Sequence, residues 1–249
     1  MSIVSQTKLT TKGLSLFQRL FSPFKEFGLV AGSLYALNRL LRRLSSHLRI
    51  QIHDWMVQPI TARPLLPARF TRSFVTREIE KDDPAILKMP IRSEILSLRL
   101  RQNTKCLGTY DKKGKLVGYL WLSFDAYEED QARCTFVLTL PEKSVFDFDL
   151  RVVPEYQMGI GFAALWDGAN RYLYERGIRY SFSRLDRFNQ GSAKAHNHLG
   201  WKRVGWAVIF RFWSMEIMLM SKMPWLYISL GESARARIYL EPDVLCGDV

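Results

Sequence analysis

Ser144-Val145-Phe146-Asp147-Phe148-Asp149-Leu150-Arg151-Val152-Val153 leads into Pro154 and then the turn Tyr156-Gln157-Met158-Gly159-Ile160-Gly161. In the first stretch Val145, Asp147, Asp149 and Arg151 alternate with Phe146, Phe148, Leu150 and Val152. A period of two, rich in aromatic and β-branched residues, reads as a strand, and Pro154 ends it. After the turn, apolar residues fall at 162, 165, 166, 169, 172 and 173, the spacing of one helix face. The unit is strand, glycine-containing turn, helix, and Arg179 to Ser183 reads as the next strand.

A turn of this kind leaves backbone N–H groups of the first helical turn without partners, pointing at one spot that the helix dipole makes attractive to an anion. Glycines let the backbone come close to a bulky phosphate. The plain alternative is a tight strand-to-helix connection that binds nothing. The continuation separates the two readings: Asn189 is followed by His196, Gly200 and Trp201, seven, eleven and twelve positions on. Together with the turn, this resembles the GNAT superfamily of acyl-CoA-dependent N-acyltransferases. That family's pyrophosphate motif is Arg/Gln-x-x-Gly-x-Gly/Ala, followed by an Asn, an aromatic residue (often Tyr) and Gly-Phe at the same offsets. Two positions depart from the pattern. Tyr156 stands where the motif has Arg or Gln, with Gln157 one place late, and His196 stands where Tyr is usual.

The resemblance implies direct transfer of an acetyl or other acyl group from acyl-CoA to an amine, with no covalent enzyme intermediate and no metal. It places the cofactor pyrophosphate on Gln157, Met158, Gly159, Ile160, Gly161 and Phe162. It places an oxyanion donor on the backbone near Arg151 to Val153, and a hydrogen bond to the cofactor arm on Asn189, which is also suited to capping a helix. His196 takes the place of the acid that protonates the leaving thiolate, a task an imidazole can perform near neutral pH. Asp147 and Asp149, at i and i+2, are expected on one face of the strand. Acidic residues on this strand are common bases in the family, and Asp149, nearer the turn, is the expected one. His196 and His198 make no zinc site, because residues two apart on a helix point away from each other.

The expected fold is therefore α/β, with a mixed, mostly antiparallel sheet flanked by helices. Residues 69–222 form the acyltransferase-like domain. Ser73 to Ile79 reads as its first strand, and Asp82 or Asp83 caps a helical region opening at Pro84 and running to Leu100. Thr104–Tyr110 and Lys115–Phe124 form a hairpin about Asp111-Lys112-Lys113-Gly114. Arg133–Leu140 is a further strand, and Trp206–Met220 contributes one or two that close the sheet. The acceptor groove falls to residues 81–103 and to the loop 125–133, whose Asp125, Glu128, Glu129 and Asp130 suit a cationic amine and equally suit water. Residues 223–249 are a tail.

Residues 1–68 read as a basic helical extension with a connector holding Pro59, Pro64 and Pro67. Val30, Leu34, Leu37, Leu41, Leu44 and Leu48 make one apolar stripe beside Arg39, Arg42, Arg43 and Arg49. Ile50 to Val57 is a short strand or a further helical turn. The 249-residue chain carries a net charge of +12, of which residues 1–72 supply +9 from 11 Lys/Arg against 2 Asp/Glu. Such an excess seeks an anionic partner. A basic amphipathic helix suits an anionic membrane surface or an acidic acyl-carrier protein, and equally suits packing on the domain. No nucleic-acid module is recognisable, and a homodimer is allowed. Three scattered cysteines fit a reducing compartment. With no long apolar span and no secretory signal in the first 20 residues, the expected place is the cytoplasm, with peripheral contact at the inner face of the membrane. The competing reading is a binding protein with this fold that has lost catalysis and uses its basic helix on a membrane or an acidic partner.

Overall fold

The computed structural model describes residues 16–87, 89–102, 104–157, 160–189, 199–231 and 233–243. The described chain opens with α1 (Leu16–Leu44), which kinks at Gly28, where φ is 79°. It continues through β1 (Leu48–Pro59), α2 (Ala68–Thr71), β2 (Phe74–Ile79), α3 (Pro84–Leu87), α4 (Ser93–Arg101), β3 (Lys105–Asp111) and β4 (Leu116–Ser123). Next come β5 (Ala126–Glu128), β6 (Cys134–Leu138), β7 (Ser144–Val152), α5 (Pro154–Gln157), α6 (Gly161–Glu175) and β8 (Tyr180–Asp186). The described chain closes with β9 (Lys202–Phe212), β10 (Met215–Met220), β11 (Leu226–Leu230) and β12 (Ala236–Leu240).

Nine strands form one sheet in the order β11-β10-β9-β1-β8-β7-β4-β3-β2. Neighbours are antiparallel except for β7 and β8. A second, three-stranded sheet runs β12-β6-β5. The architecture is mixed α/β with a large, mostly antiparallel sheet flanked by helices, as the element pattern predicts.

Two placements differ from expectation. The segment Leu48–Pro59, grouped from sequence with the N-terminal extension, is a central strand, paired from Leu48 to Val57 with β9 on one side and from His53 to Pro59 with β8 on the other. Its burial explains why: Ile50, Ile52, Trp55 and Val57 are sealed on the two faces. Residues 48–59 are thus integral to the sheet rather than appended to it. The residues from 223 onward also supply two strands: β11 at the edge of the large sheet, and β12 parallel to β6.

The faces are covered differently. α6 lies on β2, β3, β4 and β7 and packs Leu165, Trp166, Ala169 and Leu173 against Leu107, Leu120, Leu122 and Val145. Each such fully buried side chain contributes about 1.5–3 kcal/mol. Gly168 lets the helix approach β2, since a Cβ there would sit 1.8 Å from Thr76 Oγ1. The small sheet covers the opposite face with Tyr127, Phe136 and Ile238 against Trp55, Phe146 and Phe182. On that face, α4 covers the β2–β3–β4 end through Leu96 and Leu100, set against Ile79, Tyr119 and Trp121.

Candidate active site

β7 and β8 pair only from Ser144↔Tyr180 to Asp147↔Ser183. β7 continues to Val152 and β8 to Asp186, so past Asp147 and Ser183 the two strands diverge. A wedge opens between them. Along its β7 side the strand is distorted: its register against β4 shifts between Tyr119 and Trp121, and Asp149 sits at φ 46°. A non-glycine residue in this region is uncommon, with Asp and Asn the best tolerated.

The bulge corrects the expectation that Asp147 and Asp149 share a face. One extra residue on a bulged strand inverts the alternation after it. Asp147 is buried beside β8 and accepts a hydrogen bond from Ser181 Oγ at 2.7 Å. Burial pushes its carboxyl up to about 7, against the opposing effect of that hydrogen bond. Asp149 instead joins Phe148 on the wall of a cleft of about 150 Å³.

This cleft brings several charged and aromatic side chains together. Tyr127 and Phe148, stacked at 4.0 Å between centroids, give it an aromatic wall. Arg99 of α4 reaches in and donates to Asp149 Oδ2 at 2.6 Å and Asp130 Oδ2 at 2.8 Å. Its guanidinium lies over the rings of Trp121 and Phe148. Arg151 Nε takes the other oxygen of Asp149 at 2.9 Å. Both oxygens of the expected base are therefore bonded to cations.

Glu129 offers a different carboxyl on the cleft wall. It pairs with Arg184 at 3.1 Å, and Gln131 N–H donates to it at 3.2 Å. Burial pushes its pKa up to about 7; Arg184 works against this, and Asp130 reinforces it. Behind the pair, Arg184 Nη1 lies 3.2 Å from His53 Nε2. Burial, then Arg184, Arg49 and Arg211, hold the His53 imidazole well below its usual range, so the neutral ring accepts from Arg184. The segments expected to build the acceptor groove do meet here, through Pro90 to Arg99 and Tyr127 to Gln131. Of their acids, Asp130 and Glu129 are largely buried and paired with Arg99 of α4 and Arg184 of β8, while Glu128 is half-exposed beside Arg235 and Glu94 is exposed. Arg99 and Arg184 escape sequence reading, since each lies in an element whose pattern reports only helix or strand.

At the turn, Val153 N–H donates to Val117 O at 2.9 Å, which removes Val153 as a free backbone donor toward a cofactor. Gln157 Nε2 bonds Val152 O at 2.9 Å, and Tyr156 OH donates to Asp111 at 2.7 Å, so the departing residue ties the turn to the β3–β4 hairpin. Gly161 serves close packing, since a Cβ would lie 2.7 Å from Tyr156 O. Ile160 is the N-cap of α6, and no side chain caps the helix. Phe162 packs at the edge of the core under α6. Asn189 is exposed, and its N–H bonds Asp186 O at 2.8 Å. Met158, Gly159 and His196 lie outside the described residues. Among the described residues no group of three or more His, Cys, Asp or Glu is placed to hold a metal ion.

Neither a family model nor a curated protein matches the chain. Solved structures do. The tandem GNAT protein from the clavulanic acid biosynthesis pathway matches at TM-score 0.42 and 13% identity over 62% of this chain and 50% of its own. The GCN5-related glucosamine N-acetyltransferase region of a fungal multi-domain β-N-acetylglucosaminidase matches at 0.46 and 15%, over 70% and 23%. The GCN5-related N-acetyltransferase of Sphaerobacter thermophilus matches at 0.43 and 16%, over 73% and 57%. This chain spans less than two thirds of the length of each of these three, and at such low identity nothing transfers from them residue by residue. The chemistry of the site rests on its own geometry.

Proposed function

We propose that this chain is an acyl-CoA-dependent N-acyltransferase, with acetyl-CoA as donor, acting on an amine held in the cleft between α4 and the β5–β6 loop. The observation that carries the reading is the divergence of β7 from β8 directly beside that cleft. A wedge between strands presents main-chain groups to an extended ligand bearing amides, which binds as an added strand does. A pantetheine arm has that character. Its pyrophosphate would then rest near the start of α6, at Ile160, Gly161 and Phe162, where the helix dipole favours negative charge. Asn189 would touch the arm from the other side.

In this reading Glu129 is the base. Asp149 carries an arginine on each oxygen, whereas Glu129 meets Arg184 through one oxygen, so the part of Asp149 is to hold Arg99 and Arg151 in place. The Glu129 carboxylate takes a proton from the ammonium, and the amine nitrogen attacks the thioester carbonyl. The tetrahedral adduct then collapses with cleavage of the C–S bond, the nitrogen gives up its second proton to water, and the thiolate leaves with a proton from His196, a role resting on the sequence pattern. The competing reading, a lapsed GNAT-like binding protein, draws support from Val153, whose N–H is committed to Val117 O.

Calorimetric titration with CoA and acetyl-CoA at two salt concentrations separates the two. Saturable binding that survives salt, followed by turnover with a panel of amines, supports the enzyme. Failure of both ligands to bind favours the lapsed protein or a carrier-protein donor. The basic α1 adds a peripheral membrane contact to this reading.

A further inference from the structure

Three strands at one end of the large sheet turn an entirely apolar face outward. On β9 the residues facing the small sheet are Ala207 and Ile209, and on β10 they are Met218 and Met220, all buried. The alternate positions are Trp206, Val208, Phe210 and Phe212 on β9, Met215, Ile217 and Leu219 on β10, and Leu226, Ile228 and Leu230 on β11. The pairing puts them in rows: Val208, Leu219 and Leu226; Phe210, Ile217 and Ile228; Phe212, Met215 and Leu230. Exposure rises toward the edge strand, where Leu226 and Ile228 are 55% exposed and Leu230 is 72% exposed. A sheet normally puts polar residues on an uncovered face, and a continuous apolar patch of this kind marks an interaction surface. α1, which packs on the neighbouring β1, adds exposed Val30, Leu37, Leu40 and Leu44.

We propose that this face docks on an anionic lipid bilayer. Two observations favour lipid over a second copy of the chain. The border is aromatic: Trp206, Trp213 at the β9–β10 turn and Trp225 before β11 are all exposed. Indole rings of this kind favour the headgroup level of a membrane. The border is also basic. Arg39, Arg42 and Arg43 of α1 are exposed, and beside Trp206 the exposed Arg203 of β9 shares Asp54 with Arg187, two cations on one carboxylate. From Leu199 to Leu230 the only acidic residue is Glu216, which is fully buried on the opposite face against Arg211. A two-fold dimer sets a patch against itself, which would bring basic border to basic border. Anionic lipid complements both the apolar centre and the cationic rim.

The test is co-sedimentation of the full chain with vesicles of phosphatidylcholine alone or mixed with phosphatidylglycerol, alongside sedimentation velocity without lipid. The expected result is a monomer that binds the mixed vesicles. Replacing Leu226, Ile228 and Leu230 with Thr, which keeps strand propensity, should weaken binding about tenfold or more. Arg39→Gln, Arg42→Gln and Arg43→Gln together should weaken it about fivefold per arginine at low salt. Lack of binding by the natural chain, or equal binding by the threonine variant, overturns the proposal. A lipid-free dimer that the threonine variant dissociates assigns the face to a second copy and also overturns it. Should that variant fail to fold, brominated lipid decides. Tryptophan quenching that is reduced in Trp225→Phe supports docking, and its absence in the natural chain refutes it. These outcomes are independent of whether the cleft is catalytic.

Discussion

Arg99 of α4 and Asp149 of β7 meet at 2.6 Å, joining a helix on one face of the sheet to the strand whose bulge opens the wedge. Both side chains are largely buried, and Asp149 holds its pairing from a left-handed backbone conformation. Removing one partner of a buried pair leaves the other charge uncompensated, at a cost of about 3 kcal/mol or more, although Asp130 still satisfies part of Arg99. Asp149→Asn keeps the tolerance for positive φ, whereas Asp149→Ala loses that as well. Urea denaturation should rank natural chain, Asn, then Ala, with Ala below Asn by about 1 kcal/mol. Equal stability of the two variants would mean that the strand relaxes when the pair is gone.

The central strand gives a second prediction. Deleting residues 1–60 removes β1, and with it both ladders that join β8 to β9. The remaining chain should lose its cooperative unfolding transition by circular dichroism. A folded truncation would show that β8 and β9 pair directly once β1 is gone.

That strand also marks where sequence reading stops. The unit from Ser144 to Glu175 is legible because its signals are local: alternation, a proline stop, then helical spacing. The hairpin at Asp111–Gly114 is legible for the same reason. Gly114 takes the positive φ that the turn requires, and Asp111 Oδ1 accepts the N–H groups of Lys113 and Lys115. Which strands β1 joins depends on partners more than a hundred residues away, and nothing in Leu48–Pro59 names them. The bulge at Asp149 is equally silent, since Phe-Asp-Phe-Asp continues the alternation right up to the residue that breaks it. The cleft escapes for a related reason: its arginines arrive from α4 and β8, which are separate in sequence, and only the tertiary fold sets them against Glu129 and Asp149.

Asp147 and Glu129 set a pH dependence of stability. Each carboxyl has a folded-state pKa of about 7, above the ordinary value of 3.8 for Asp and 4.5 for Glu. Between those limits the folded state binds more protons than the unfolded one, so the contribution of these groups falls as pH rises. Asp147→Asn should therefore gain on the natural chain as pH rises from about 4 to 8, by on the order of 3 kcal/mol at the upper end. Chemical denaturation of both proteins across that range checks this. A difference that does not vary with pH would mean that Asp147 stays charged in the fold.

Gly168→Ala tests the docking of α6 on β2. The new methyl would collide with Thr76, whose Oγ1 is bonded to Thr109 Oγ1 at 2.7 Å. Helix propensity favours Ala by about 1 kcal/mol, but overpacking of this severity costs about 1–3 kcal/mol or more. The net sign should be destabilising, read as a lower Tm. A raised Tm would show that Thr76 yields without cost.

The last prediction separates Glu129 from Asp149 as the base. A base must be deprotonated to act, so kcat/KM for amine acylation should climb with pH through about 7 if the Glu129 carboxyl governs that limb. Glu129→Gln should lower kcat/KM about a hundredfold or more and flatten the limb, while keeping an acceptor oxygen for Gln131 N–H. Asp149→Asn should lose activity through misplacement of Arg99 and Arg151, with the limb unmoved. The pH profiles of the two variants, measured beside their unfolding curves, decide the matter. A limb that survives in Glu129→Gln and shifts in Asp149→Asn would return the role to Asp149 and require that its carboxylate release one of its arginines when the amine binds.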